Sequence, residues 1–153
     1  WGVDARRLKQ ALKLGKRRSD AAPGTEAWRF AKAVFNFPHA GAGIKDQDRN
    51  VRVNQELLGG FFLSALEVVR PGGEVHVTVK TGKPYDLWGV VSLAHRVSGG
   101  RLVLHSSYRF RPDQFPGYSH RRTIGHREGL SASGNEEILA SSPRTYVWTV
   151  VAA

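Results

Sequence analysis

The apolar residues of this chain change their spacing along its length, and that change restricts the folds open to it. Leu58, Phe61, Phe62, Ala65, Leu66 and Val69 recur at helical spacing, whereas Val75, Val77 and Val79 alternate with polar neighbours as in a strand. On either side the same switch recurs. Trp28 to Phe35 is predicted as a strand, and its near-continuous apolar run suits burial on both faces. Tyr85 to Val97 reads as a helix that Ser98-Gly99-Gly100 stops. Leu102 to Phe110 reads as a strand with Leu102, Leu104, Tyr108 and Phe110 in one register, and Thr145 to Val151 as a last strand rich in β-branched and aromatic residues. At the start, Trp1–Asp4 has the character of a strand tail and Ala5 to about Arg18 is helix-compatible. The alternation implies an α/β fold with a mainly parallel sheet. The last two strands share a long loop and no helix, so they are expected to pair antiparallel at a sheet edge.

Local chemistry sets the boundaries. Pro38 has no N–H to continue a strand ladder. Asp46 or Asp48 can cap the following helix. Gly59-Gly60 inside that helix costs about 1 kcal/mol per residue relative to alanine, which predicts a close packing contact there. Pro71-Gly72-Gly73 is expected to end it. Residues 129–144 read as a flexible loop. At 153 residues, one domain spanning 1–153 is expected.

Composition narrows the function. No apolar run approaches the roughly 18 residues of a membrane-spanning helix, and no signal peptide is visible. With no cysteine, a disulfide scaffold, a thiolate zinc site and a cysteine nucleophile are excluded, and the six histidines show no zinc-ligand spacing; no metal is expected. There is no P-loop and no G-x-S-x-G elbow, and Gly41-x-Gly43 lacks the third glycine of a dinucleotide loop, with Asp46 in its place. The net charge of +10 favours an acidic partner, nucleic acid ahead of a membrane surface. Residues 1–20 carry seven Lys/Arg against two Asp, and residues 109–128 five Arg against Asp113 and Glu128. The chain begins at Trp1 and contains no methionine, so a trimmed or processed N-terminus is expected.

Asn36-Phe37-Pro38-His39 is the most informative segment. It stands at the carboxyl end of a predicted strand, the edge at which open α/β sheets bind ligands. An Asn side chain there can hydrogen-bond a base edge and an aromatic neighbour can stack on it; a structural strand-exit turn is the alternative. The longer run Phe35-Asn36-Phe37-Pro38-His39-x-Gly41-x-Gly43-x-Lys45-Asp46-Gln47-Asp48-Arg49-Asn50 closely resembles the signature of the ribosomal RNA uridine-N3 methyltransferase family. The resemblance continues through Asn54-Gln55-x-Leu57-Leu58, Glu74–Lys80, Pro84–Trp88 and Pro116-Gly117-Tyr118-x-His120-Arg121-Arg122-Thr123, and at Gly2-Val3-Asp4-Ala5.

That resemblance implies a Rossmann-like sheet of an S-adenosylmethionine-dependent methyltransferase, with strand order 3-2-1-4-5-7-6 and strand 7 antiparallel. This chain would supply strands 3 to 7, with strands 1 and 2 and the glycine-rich loop absent, leaving an unpaired apolar edge on the Trp28–Phe35 strand. Residues 9–27 would be a basic insertion. The implied activity is methyl transfer to N3 of a uridine in large-subunit ribosomal RNA, in the nucleolus, with pre-ribosomal proteins as further partners. In that reading Asn36 orients the base edge, Phe37 stacks, Pro38 fixes the turn and His39 is the candidate base, with Asp46 or Asp48 as rivals whose other role is helix capping. Asp4 and Ala5 would meet the adenine end of the cofactor, Asp4 alternatively capping a helix. Lys45, Lys80, Tyr118, His120, Arg121 and Arg122 would meet RNA. A different class remains open: a catalytically silent RNA-binding or ribosome-assembly module.

Overall fold

The helical stripe of Leu58, Phe61, Phe62 and Ala65 becomes one face of a long helix, α2 (Gln47–Val68), and this helix organises everything around it. The computed structural model describes residues 2–15, 29–41, 43–120 and 141–152. In order, these form a 3-10 turn (Ala5–Arg7), α1 (Leu8–Ala11), β1 (Phe30–Asn36), α2, β2 (Val69–Val79), a second 3-10 turn (Tyr85–Trp88), α3 (Val90–Val97), β3 (Leu102–Arg109), a third 3-10 turn (Pro112–Gln114) and β4 (Arg144–Val150).

The four described strands form one sheet in the order β1-β2-β4-β3. β1 and β2 are parallel, joined through α2, and β4 runs antiparallel to both its neighbours. The α/β reading therefore holds, and the last strand is the antiparallel one. It lies between β2 and β3, so the last two strands pair antiparallel at the sheet edge as expected, with β3 outermost. Val75, Val77, Trp148, Val150 and Leu102 point to the face on which α2 and α3 pack, and all five are essentially inaccessible to water. Phe62 meets Trp148 edge-to-face, with ring centroids 5.1 Å apart.

Several local expectations are corrected. Gly2–Asp4 is not a strand; Asp4 caps the first 3-10 turn by accepting a hydrogen bond from the Arg6 N–H at 2.9 Å. The helix expected from Ala5 to Arg18 ends at Ala11, where Lys13 and Gly15 take positive φ; residues 16–18 lie outside the described residues, as does most of the expected 129–144 loop. α2 ends at Val68, before Pro71-Gly72-Gly73, because Val69 is buried and already extended, paired with Phe30. Gly73 then allows the crossing of β1 and β2: a Cβ there would lie 2.8 Å from the Ala31 carbonyl oxygen. The expected helix over Tyr85–Val97 is split by Gly89, at φ +56°. A bulge at His105 breaks the single register expected for β3, so Tyr108 no longer shares the face of Leu102 and Leu104 and is exposed.

β1 is not buried on both faces. Phe35 and Ala33 face α2, with Phe35 edge-on to Phe61 at 5.0 Å, while Val34 stays 57% exposed on the other face. Its apolar run lies beside a single neighbour, β2, among the described residues. The packing predicted at Gly59-Gly60 is present: a Cβ on Gly60 would sit 2.7 Å from Cγ of Arg6, so the glycine lets the first 3-10 turn lie on α2.

Candidate functional site

α2 lies along β1 with its N-terminus beside the end of the strand, so the Asn36–His39 turn, the α2 cap and the end of β2 meet at one edge of the sheet. Asn36, the last residue of β1, pairs with Thr78 of β2. The Thr78 hydroxyl donates to Asn36 Oδ1 at 2.8 Å and lies 2.8 Å from the Thr145 hydroxyl of β4. A hydroxyl has one proton, so Thr145 must donate to Thr78 and Thr78 to Asn36. This one-way relay turns Asn36 Nδ2 outward, where it makes no hydrogen bond among the described residues.

Phe37 adopts the left-handed region at φ +53°, a strained conformation for a bulky residue that costs on the order of 1–3 kcal/mol. Two long-range contacts hold it. Its N–H donates to the Thr78 carbonyl at 2.8 Å, and its ring meets Phe110 and His120 edge-on, with centroids 5.2 and 4.4 Å away. Phe110 in turn stacks on Phe115 and touches Tyr118, whose hydroxyl lies 2.7 Å from His120 Nδ1. Phe37, Tyr118 and His120, which come from distant runs of the sequence, are thus one aromatic cluster. Pro38 is buried.

His39 is half-buried against Trp88, with ring centroids 6.1 Å apart. Its Nδ1 accepts a hydrogen bond from the Gly41 N–H at 2.9 Å. Burial, and then the charge of Lys80, push the titration of both His39 and His120 below the ordinary histidine range. Burial raises that of Tyr118. The Lys80 ammonium lies 5.2 Å over the ring of Tyr85 and pairs with no carboxylate among the described residues. The Trp88 indole N–H is buried without a partner among the described residues.

Two residues that the sequence reading left without a role hold this edge together. Asn54, 2% exposed on α2, accepts from the Ala40 N–H at 2.9 Å and donates to the Asn50 carbonyl at 2.9 Å. Gln55 donates to the Trp88 carbonyl at 3.2 Å. Both lie in motifs that carry the resemblance, which was the available signal. Thr78 lies in such a motif too, in Glu74–Lys80, whereas Phe110 had no such signal, because its importance comes from long-range ring contacts.

Asn36, Phe37, Pro38, His39, Lys80, Tyr118 and His120 are brought together here. Lys45 is exposed beside the α2 cap, and Arg121 and Arg122 lie outside the described residues. Asp46 is the N-cap of α2 and accepts from the Arg49 N–H at 2.7 Å. Asp4 and Ala5 are not gathered with the rest. Arg6 lies on Gly60 and the Leu8 N–H donates to Ser64 Oγ, about 9 and 15 Å along α2 from Asn54. Both oxygens of Asp4 are engaged by Arg6, at 2.9 to 3.1 Å. Among the described residues no group of three or more His, Asp or Glu is placed to hold a metal ion, and no helix is long and apolar enough to cross a membrane.

A family model described as rRNA (uridine-N3-)-methyltransferase BTM5-like matches residues 1–122. The chain belongs to that family. The match takes in the residues of the edge from Asn36 to His120, and leaves out Thr145 of β4. Among curated proteins, the chain is 30% identical to the 25S rRNA (uridine(2634)-N(3))-methyltransferase of Saccharomyces cerevisiae, over 79% of this chain and 47% of that protein. It is 39% identical to heavy metal-associated isoprenylated plant protein 41 of Arabidopsis thaliana, over 65% of this chain and 19% of that one. It is 33% identical to the ferredoxin-fold anticodon-binding domain-containing protein 1 homolog of Mus musculus, over 77% and 18%. The chain therefore spans less than half the length of these relatives.

Proposed function

We propose that this chain supplies the base-binding side of an enzyme that transfers a methyl group from S-adenosylmethionine to N3 of a uridine in large-subunit ribosomal RNA. The observation that carries this reading is the convergence of the Asn36–His39 turn with Lys80, Tyr118 and His120 at one sheet edge, in a chain of the uridine-N3-methyltransferase family. The order β1-β2-β4-β3, with β4 antiparallel, supports a Rossmann-like methyltransferase sheet in which these are strands 4, 5, 7 and 6. Asn36 orients the base edge, Phe37 offers a ring for stacking, Pro38 fixes the turn and His39 stands beside the reacting edge. Lys80 and Lys45 meet phosphate, Tyr118 and His120 line the RNA path, and Arg121 and Arg122 extend it. An enzyme of this kind works in ribosome biogenesis, which fits a nucleolar location and contact with pre-ribosomal proteins.

The cofactor is a separate matter. Asp4 and Ala5 are its proposed contacts, but the described residues hold them apart from the Asn36–His39 turn, with Asp4 engaged by Arg6. The described residues alone do not fit an S-adenosylmethionine cradle. That separation is the observation favouring the second reading, an RNA-binding module without activity of its own.

The experiment is methyl transfer by the full-length protein to ribosomal RNA, read as N3-methyluridine. Asn36→Ala is expected to abolish transfer while sparing RNA binding. Undiminished turnover in that variant would remove the site assignment, and RNA binding without any transfer by the unaltered protein would favour the silent module.

A further inference from the structure

The sequence offers His39 as a candidate base, with Asp46 or Asp48 as rivals, and the hydrogen bond at its Nδ1 suggests a different role. A backbone amide can only donate, so the Gly41 N–H on His39 Nδ1 requires a lone pair there. In the neutral ring the proton is then on Nε2. Nε2 has no hydrogen-bond partner among the described residues and is not among the buried unpaired atoms, so it reaches solvent as a donor. Asn36 is set the same way: the Thr145-to-Thr78-to-Asn36 relay turns Oδ1 towards Thr78 and leaves the Nδ2 protons outward. Two side chains three residues apart on one turn therefore present donors and no free ring acceptor.

We infer that Asn36 and His39 form a donor-only edge that recognises the ionised imide of uracil, one donor to each carbonyl flanking N3. This rests on the uridine reading above and specifies its chemistry. The N3–H bond breaks with its proton going to solvent water, and the electron pair stays on the imide, spread over N3 and the two carbonyl oxygens. Fixed donors aimed at those oxygens stabilise the charge as it forms. The charged and titratable groups facing this edge agree. Lys80, at the end of β2, is a cation without a carboxylate partner among the described residues, and His120 approaches from the segment after β3. Burial and Lys80 keep His39 neutral, which preserves the donor tautomer at physiological pH. Cytosine, which has an amino group in place of one carbonyl, would set donor against donor.

The test uses the full-length protein. Long-range proton–nitrogen correlation of its histidine side chains is expected to show His39 neutral and protonated on Nε2 at pH 7. An Nδ1-protonated ring or an imidazolium would overturn the inference. Binding of an oligouridylate and an oligocytidylate, read by fluorescence anisotropy at mildly alkaline pH, is expected to favour the former by about tenfold. His39→Gln, which keeps a donor and cannot take up a proton, is expected to retain that preference and to keep methyl transfer within about tenfold, while His39→Leu loses both. If the glutamine variant is as inactive as the leucine variant, His39 is a proton acceptor and the inference fails. If the unaltered protein transfers no methyl group at all, the enzyme reading fails, and the tautomer and the uracil preference still decide the inference.

Discussion

The hydroxyl of Thr78 donates to Oδ1 of Asn36 at 2.8 Å, joining two parallel strands at the point where both leave the sheet. Thr78 is fully buried, and among the described residues its only other hydroxyl partner is Thr145. Thr78→Val keeps the volume and removes the link. It leaves the Thr145 hydroxyl without its acceptor, at a cost of about 1–3 kcal/mol in urea denaturation. It also frees the Asn36 amide to turn, so methyl transfer by the full-length protein is expected to fall about tenfold, in keeping with the roughly 1.4 kcal/mol that corresponds to that factor. Thr78→Ser should restore most of both.

Asn54 holds the loop that carries His39 through the Ala40 N–H. Asn54→Leu removes that acceptor and the donor to the Asn50 carbonyl while keeping the side chain's bulk. A loss of about 1–3 kcal/mol in stability is expected. If Asn54 positions the loop, kcat falls while the affinity for RNA is unchanged, which steady-state kinetics beside a binding isotherm will separate.

Asp46 caps α2 by accepting from the Arg49 N–H, and capping alone is the role expected of it. Asp46→Asn keeps a capping oxygen and is expected to leave both stability and the pH profile of methyl transfer near those of the unaltered protein. Asp46→Ala is expected to lower stability by about 1 kcal/mol, seen in thermal melting. Loss of the alkaline activity in the asparagine variant would return Asp46 to the list of proton acceptors.

On the sheet face away from α2, Glu74 accepts from Lys32 and lies against His76, each at 2.8 Å. These partners, Lys32 first, bring its carboxyl down from 4.5 to about 2. A carboxyl depressed on folding stabilises the folded state fully above its unfolded value and progressively less as pH falls through the folded one. Stability contributed by Glu74 is therefore expected to be whole above about pH 4.5 and lost towards pH 2. Denaturation midpoints measured across that range should fall less steeply in Glu74→Gln.

What the sequence determined by itself is local. Helical spacing from Leu58 to Val69 and alternation from Val75 to Val79 marked α2 and β2, because burial of one face imposes its period on the residues beside it. Asp46 as a cap and the glycines at 59 and 60 were legible for the same reason: their chemistry acts within a turn or two of helix. The residues of the site were legible only as separate runs. Where α2 would end was not, since Val69 extends because Phe30 is there to pair with it. Nor was the exposure of β1, which depends on how many strands flank it. Tertiary structure alone joined Phe37 to Phe110 and His120, and set the direction of the Thr145–Thr78–Asn36 relay. It also placed the Gly41 amide on His39 Nδ1, the contact from which a donor role for His39 is inferred. A side chain's type limits which hydrogen bonds it can make; only its folded neighbours decide which of them it does make.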